Sequence, residues 1–378
     1  MFTDSYYPAV DGAVISLEMT SRELKRRGHE IVIFAPSSPE GLVNGINDRV
    51  IWLPARRFGS YSGYRVPIYP SAVVSAVRKE APDIIHSHGI SFAGIQALIA
   101  SRQTGIRNVL TYHTMVTEAA GYYYPPIMPL DVMIRLAWVY QKNYLHRPHA
   151  VIVPTKAIKD ELVSHGIRAR RWEIIPTGID CRRFSPKKRD DALLERYGLK
   201  GKKVILTVGR LAREKNIDLI IRGFSELTKL RDDAYLLIVG KGPAERDFKS
   251  LVANLNLADR VRFAGFIPDE ELPRFYASCD AFVIASRFET QGLVALEAMA
   301  SGRPVVGINF RAIPEIIEDR VNGYLFDNDP VSLAKALDLA VDDKDRVSSA
   351  ARTTAENYCI ENCTAKLIDL YSELSRKG

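Results

Sequence analysis

At 378 residues and 42.3 kDa, with 47% hydrophobic and 26% charged residues, the chain exceeds one ordinary core and has the balance of a soluble globular protein built on two. No apolar run approaches the ~18 residues of a membrane span, and the opening FTDSYYP lacks the apolar stretch of a secretory leader, so a cytoplasmic protein is expected. The net charge of +7 lies almost wholly in residues 1–175 (20 Lys and Arg against 14 Asp and Glu), either a solvated face or attraction to an anionic partner; without a nucleic-acid-binding motif, that partner would be a membrane surface.

In chain order, VISLEMTSRELKRRGH (14–29) has helical periodicity, with Gly28 where the residue after a helix C-cap belongs. EIVIFAP (30–36), DIIHSH (83–88), NVLTYH (108–113) and AVIVPT (150–155) read as short buried strands. Basic residues cluster in RRFGSYSGYR (56–65) and RARRW (168–172). The Pro- and aromatic-rich GYYYPPIMPL (121–130) precedes a helix-like DVMIRLAWVYQKNYLHR (131–147), and PTGIDCRRFSPKKRDD (176–191) is the stretch most like a linker. KVILTVGR (203–210), AYLLIVGKG (234–242), VRFAGF (261–266), AFVIAS (281–286) and RPVVGIN (303–309) repeat the strand pattern, and residues 345–378 read as helices. Such alternation predicts two doubly wound α/β domains, each a parallel sheet covered by helices on both faces. The expected division is 1–172, 173–354, and a last helix over 355–378 packing back on the first domain.

The segment SRFETQGLVALEAMASGRPVVG (286–307) carries the most chemistry. It reads as a loop at the carboxyl end of a strand, then a helix over GLVALEAMAS stopped by Gly302 and Pro304. Ligands of open parallel sheets bind outside the carboxyl ends of the strands, and a helix N-terminus there attracts anions. Carboxylates at that place repel phosphate and suit hydroxyls, so Glu289 and Glu297 predict a ligand that is anionic in the middle and hydroxyl-rich at both ends. VGRLAREKN (208–216) supplies cations for the anionic part, Arg210 and Lys215, again after a strand.

Taken together, FTDSYYPAVDGAV, DIIHSHG, TYHT, PTGID, VGRLAREKN, VGKGP, GFIPDEEL and the E-x7-E run resemble the retaining glycosyltransferases of family 4, over almost the full length. The resemblance implies the GT-B fold, two Rossmann-like domains facing across a cleft, and a UDP- or GDP-hexose as co-substrate with no metal or other cofactor. It implies that Glu289 meets the donor sugar, that Thr290, Gln291, Gly292 and Leu293 surround the phosphates, and that Glu297 holds the ribose. Gly209, Arg210 and Lys215 would receive the pyrophosphate, Phe266 and Ile267 the base, and Gly12 would lie near the phosphates from the first domain. His113, Glu289, Arg210 and Lys215 form the expected catalytic set, and His88, Tyr122 and Tyr123 the acceptor side.

Some features compete with this reading. VGKGPAE (239–245) imitates a dinucleotide fingerprint but has Glu245 at its third glycine position. FDNDP (326–330) imitates a metal-clasping Asp-x-Asp and reads as a solvated turn; His86 and His88 share a strand face but have no third ligand at suitable spacing. All four cysteines are expected as reduced, structural thiols. Only Met1 and Phe2 precede Thr3, so the central first strand usual in the family is expected to be almost absent, with the native start upstream. The expected acceptor is a membrane lipid or lipid-linked glycan at the inner face of the cell membrane. The alternatives are a soluble sugar phosphate, or a GT-B-shaped nucleotide-sugar epimerase.

Overall fold

Buried apolar strands, most of them followed by a helix, build two separate parallel sheets in the computed structural model. It describes residues 1–7, 12–37, 49–57, 65–67, 70–113, 115 and 129–376. The chain forms two compact units, one from Met1–Gly178 with Ile360–Gly378 and one from Ile179–Cys359.

The first unit holds β1 (Phe2–Thr3), β2 (Ile33–Pro36), β3 (Val50–Leu53), β6 (Ile84–His88), β7 (Arg107–Thr111), β8 (Ala150–Val153) and β9 (Trp172–Ile174) in the order β3-β2-β1-β6-β7-β8-β9. A two-stranded ribbon of β4 (Ala55–Arg57) and β5 (Arg65–Pro67) stands beside it. The first strand is as short as expected. β1 has two residues but occupies the centre, pairing Phe2 with Phe34 on one side and Ser87 on the other, and Thr3 with His88. Phe2 also stacks on Phe34 at 4.5 Å, so the short strand is held by its side chain as well as its backbone. The helix Ile360–Ser375 covers one face of this sheet: Leu367, Leu370 and Leu374, at helical spacing, pack with Leu24, Val109, Ala150 and Ile152.

In the second unit β10 (Lys203–Val208), β11 (Ala234–Val239), β12 (Val261–Gly265), β13 (Ala281–Ile284), β14 (Val305–Ile308) and β15 (Gly323–Phe326) run parallel in the order β12-β11-β10-β13-β14-β15. Helices Ile217–Leu227 and Pro330–Asp342 approach closely enough that a Cβ on Gly223 would lie 2.4 Å from Leu333, which explains glycine inside a helix. The FDNDP turn has a structural use. Asp329 caps the second of these helices, accepting from the amides of Val331 and Ser332, with Pro330 at its first position.

The reading of four reduced thiols is corrected. Cys181 and Cys359 form a disulfide across a sequence separation of 178 residues, beside a backbone bridge between Ile179 and Cys359; Cys279 and Cys363 are free and buried. Local spacing could not reveal this pair, because only the completed second unit brings its two ends together. Closing so long a loop removes unfolded-state freedom and stabilises by roughly 2–5 kcal/mol. Thermal unfolding with and without reductant should therefore show a lower melting temperature under reduction. Cys181→Ser, Cys359→Ser and the double variant should share that value whether or not reductant is present.

Candidate active site

Sheet order decides where a ligand can sit. From β10 the second unit's chain proceeds to β11 and β12 on one side, whereas β13 leads to β14 and β15 on the other. The β10 and β13 loops therefore diverge at their carboxyl ends and open a crevice between them. Gly209, Arg210 and Lys215 follow β10, and Glu289 to Gly292 follow β13.

These two loops are joined directly. Lys215 Nζ lies 2.6 Å from Glu289 Oε1, with the lysine side chain 30% exposed and the glutamate 16%. Asn216, in the left-handed region at φ 55°, donates to the backbone carbonyl of Ala285 at the end of β13, 3.2 Å away. Burial pushes the Glu289 carboxyl up, but the Lys215 charge and hydrogen bonds from Lys215 and Ser286 outweigh it and hold the group below its ordinary value. The result is a carboxylate that stays ionised while largely out of water. Arg210 stands exposed on the β10 loop.

Beyond Glu289 the helix Leu293–Ala300 begins at Gly292, whose φ of 92° and absent side chain leave no side-chain oxygen over the first amides. A Cβ there would come within 2.9 Å of Ile313, so both backbone and space require glycine. Thr290 is half-buried and Gln291 is 3% exposed.

Glu297 sits in the second turn of this helix. Tyr276, fully buried, donates to its Oε2 at 2.8 Å. Burial raises the Glu297 carboxyl to about 7 and Asp269 adds to the rise, against the Tyr276 hydrogen bond and the Arg183 charge. Two carboxylates eight residues apart thus have opposite electrostatics, one held ionised by a lysine and one poised near neutrality. At the far strand, Phe266 is 69% exposed and Ile267 half-buried directly after β12. A sequence reading misses Tyr276, Ser286 and Asn216. Asn216 and Ser286 lie inside quoted motifs, whereas Tyr276, which acts on Glu297, comes from a helix outside all of them.

In the first unit His88 ends β6, and His113 lies two residues past β7. His88 Nδ1 is 3.0 Å from His113 Nε2, and the two rings are nearly parallel at 13°. His88 is 5% exposed and lies behind the half-buried His113. His86 is buried too, bonded to Thr111 Oγ1 and Tyr371 Oη, and burial keeps both His86 and His88 well below the ordinary imidazole range. Gly12 opens the helix Gly12–Arg26, with open space where a Cβ would be. Tyr122 and Tyr123 fall outside the described residues, as does most of the basic cluster at 56–65. In the other cluster, Arg171 is paired with Glu173 and Glu373.

The helix Leu130–Leu145 divides its residues unexpectedly. Tyr144 is 4% exposed and Trp138 stacks at 3.8 Å on His165, so these aromatics pack inward or along the surface. Val132, Leu136 and Val139, at spacings of four and three, point outward at 39%, 54% and 52% exposure, flanked by exposed Arg135, Lys142 and Arg147. Among the described residues no helix is long and apolar enough to cross a membrane.

Comparison with known proteins agrees with this architecture. The Glycosyltransferase Family 4 profile matches residues 10–183, and that of Glycosyl transferases group 1 matches residues 190–358. A GDP-mannose-dependent alpha-mannosyltransferase of Mycobacterium tuberculosis is 30% identical over 361 residues, covering 92% of this chain and 89% of the relative. An alpha-monoglucosyldiacylglycerol synthase of Streptococcus pneumoniae is 29% identical over 333 residues, 86% of this chain and 74% of the relative. Among solved structures, Anabaena HepE in complex with UDP-glucose superposes with a TM-score of 0.76 at 20% identity, covering 98% of each chain. The two Rossmann-like units are those of the GT-B fold, and the chain is a glycosyltransferase belonging to family 4, the glycosyl transferases group 1.

Proposed function

We propose that the enzyme transfers a hexose, glucose or mannose, from a nucleotide-diphosphate sugar to a hydroxyl of a membrane lipid or lipid-linked glycan, with retention of configuration and without a metal. The observation that carries the donor assignment is the ionised Glu289, held by Lys215, directly before a helix whose first turn has no side-chain cap. In this reading Glu289 accepts from the sugar hydroxyls, and the amides around Thr290, Gln291, Gly292 and Leu293 receive the phosphates together with Gly209, Arg210, Lys215 and Gly12. Glu297 accepts from the ribose, and the chain at Phe266 and Ile267 meets the base. His113 contacts the transferred sugar.

The acceptor oxygen attacks the anomeric carbon on the face from which the diphosphate leaves. The bond from that carbon to the phosphate oxygen breaks, its electron pair stays on the diphosphate, and the diphosphate oxygen takes the acceptor proton as the new glycosidic bond forms. The cations and helix amides stabilise the departing charge, so catalysis is mainly positioning and electrostatics.

Two observations support a lipid acceptor. The relatives include one named for making monoglucosyldiacylglycerol, and the aliphatic stripe Val132, Leu136 and Val139 with its flanking cations suits shallow insertion into an anionic bilayer surface. In this reading the enzyme works peripherally on the membrane, with Tyr122 and Tyr123 on the acceptor side.

Thermal-shift measurements with UDP, GDP, ADP and their hexose conjugates test the donor. One nucleotide series should raise the melting temperature equally in EDTA and in magnesium; no shift with any of them rejects the reading. Glu289→Gln should lower kcat about 100-fold with little change in nucleotide affinity, whereas Glu297→Gln should weaken nucleotide binding about 10-fold and spare kcat. Equal kinetics in the two variants would remove the division of roles.

Nucleotide binding should also depend on pH. Protonated Glu297 has lost its full acceptor capacity and must release its proton to take ribose hydroxyls, so affinity should fall, by at most about 10-fold per pH unit, as pH drops below about 7. Glu297→Gln should flatten this profile. The sign for the unliganded fold is opposite: with its carboxyl raised from 4.5, this group's contribution to stability is present below pH 4.5 and lost as pH rises through about 7. For the membrane, flotation should recover the protein with vesicles of phosphatidylcholine and phosphatidylglycerol. Leu136→Glu with Val139→Glu should abolish recovery without lowering the melting temperature.

A further inference from the structure

Beside His88 the first unit contains a small cavity of ≈ 30 Å³ with a mixed lining, polar at Ser16, Thr20, His88 and Thr364 and apolar at Ile152 and Leu367. Two of its lining groups are buried polar atoms with no hydrogen-bond partner, His88 Nε2 and Thr364 Oγ1, in residues 5% and 1% exposed. A water needs at least about 10–15 Å³ and two to four polar partners, and the cavity offers both.

The other side of the same imidazole is already engaged, since His88 Nδ1 lies 3.0 Å from His113 Nε2. A neutral imidazole carries one N–H, so whatever Nε2 does decides whether Nδ1 offers His113 a proton or a lone pair. Burial keeps His88 neutral. His86 packs against His88 at 4.3 Å between ring centres, tilted by 31°, and is itself bonded to Tyr371 of the last helix, so the ring has little freedom to turn.

We propose that Thr364, through one buried water, fixes the tautomer and orientation of His88 and thereby of His113, making the helix Ile360–Ser375 part of the positioning apparatus of the reaction centre. The proposal rests on the reading in which His113 contacts the transferred sugar. His88 and Thr364 are positioning residues: neither touches substrate, and both act through His113.

The test uses the full-length protein labelled with 15N-histidine. In the wild type, long-range 1H–15N spectra should show His88 and His113 each as a single tautomer, assigned through His88→Gln and His113→Gln. Thr364→Val keeps the shape of the side chain and removes the hydroxyl. It should give averaged or exchanged ring-nitrogen shifts at both histidines and lower kcat about 10-fold, with the donor KM within about twofold. Thr364→Ser should restore both the spectrum and the rate, which a purely structural role of this side chain would not require. Thr364→Ala removes the same hydroxyl without β-branching and must give the same spectrum should the valine variant fold poorly. Wild-type histidine shifts in Thr364→Val and Thr364→Ala would overturn the tether. Because the spectrum needs neither donor nor acceptor, altered shifts with an unchanged kcat would instead reject the role given to His113 and leave the tether standing.

Discussion

The divergence of the chain at β10 and β13 is the constraint on which the donor chemistry depends. Parallel pairing makes the two strands neighbours, and opposite directions of winding leave their carboxyl ends uncovered. A cation from one loop and a carboxylate from the other then meet where neither has to travel, and Asn216 fastens the loops by their backbone as well. Each partner alone would be a poorly solvated charge. Together they remain ionised in a place from which much of the water has been removed.

The contrast between Glu289 and Glu297 follows from the same local geometry. Glu289 precedes the helix and reaches back across the crevice to a lysine. Glu297 has turned with the helix toward Tyr276, a neutral donor, and toward Asp269, whose charge works against ionisation. A phenol stabilises a carboxylate less than an ammonium does, so burial prevails at one position and charge at the other. One loop and the short helix that follows it therefore present two carboxyl groups with different acid–base behaviour.

What the sequence made legible was whatever is determined locally. Strands such as β8 and β13 are buried along their whole length and so appear as short apolar runs, and Gly28, Gly292 and Gly302 mark helix ends because their positive φ is visible as residue type. The outer strand β9, with Glu173 at its middle, carries no such run. Central β1 was hidden by its length alone, since pairing on both sides, which sequence does not display, is what defines it. The disulfide, the Tyr276 contact and the histidine stack behind His113 are long-range for the same reason. On the helix Leu130–Leu145 the geometry turns Tyr144 inward and sets Leu136 and Val139 outermost. Periodicity alone did not identify which stripe lay outermost.

The bridge between Ile179 and Cys359 makes the second unit an insertion: the chain leaves the first unit, builds an entire sheet, and returns at the place it left. Synthesis on the ribosome is vectorial, so the inserted sheet is complete while Leu24, Val109 and Ile152 still wait for Leu367, Leu370 and Leu374. The unit that starts first must finish last. A nascent chain at that stage exposes one apolar face until the helix Ile360–Ser375 emerges to cover it.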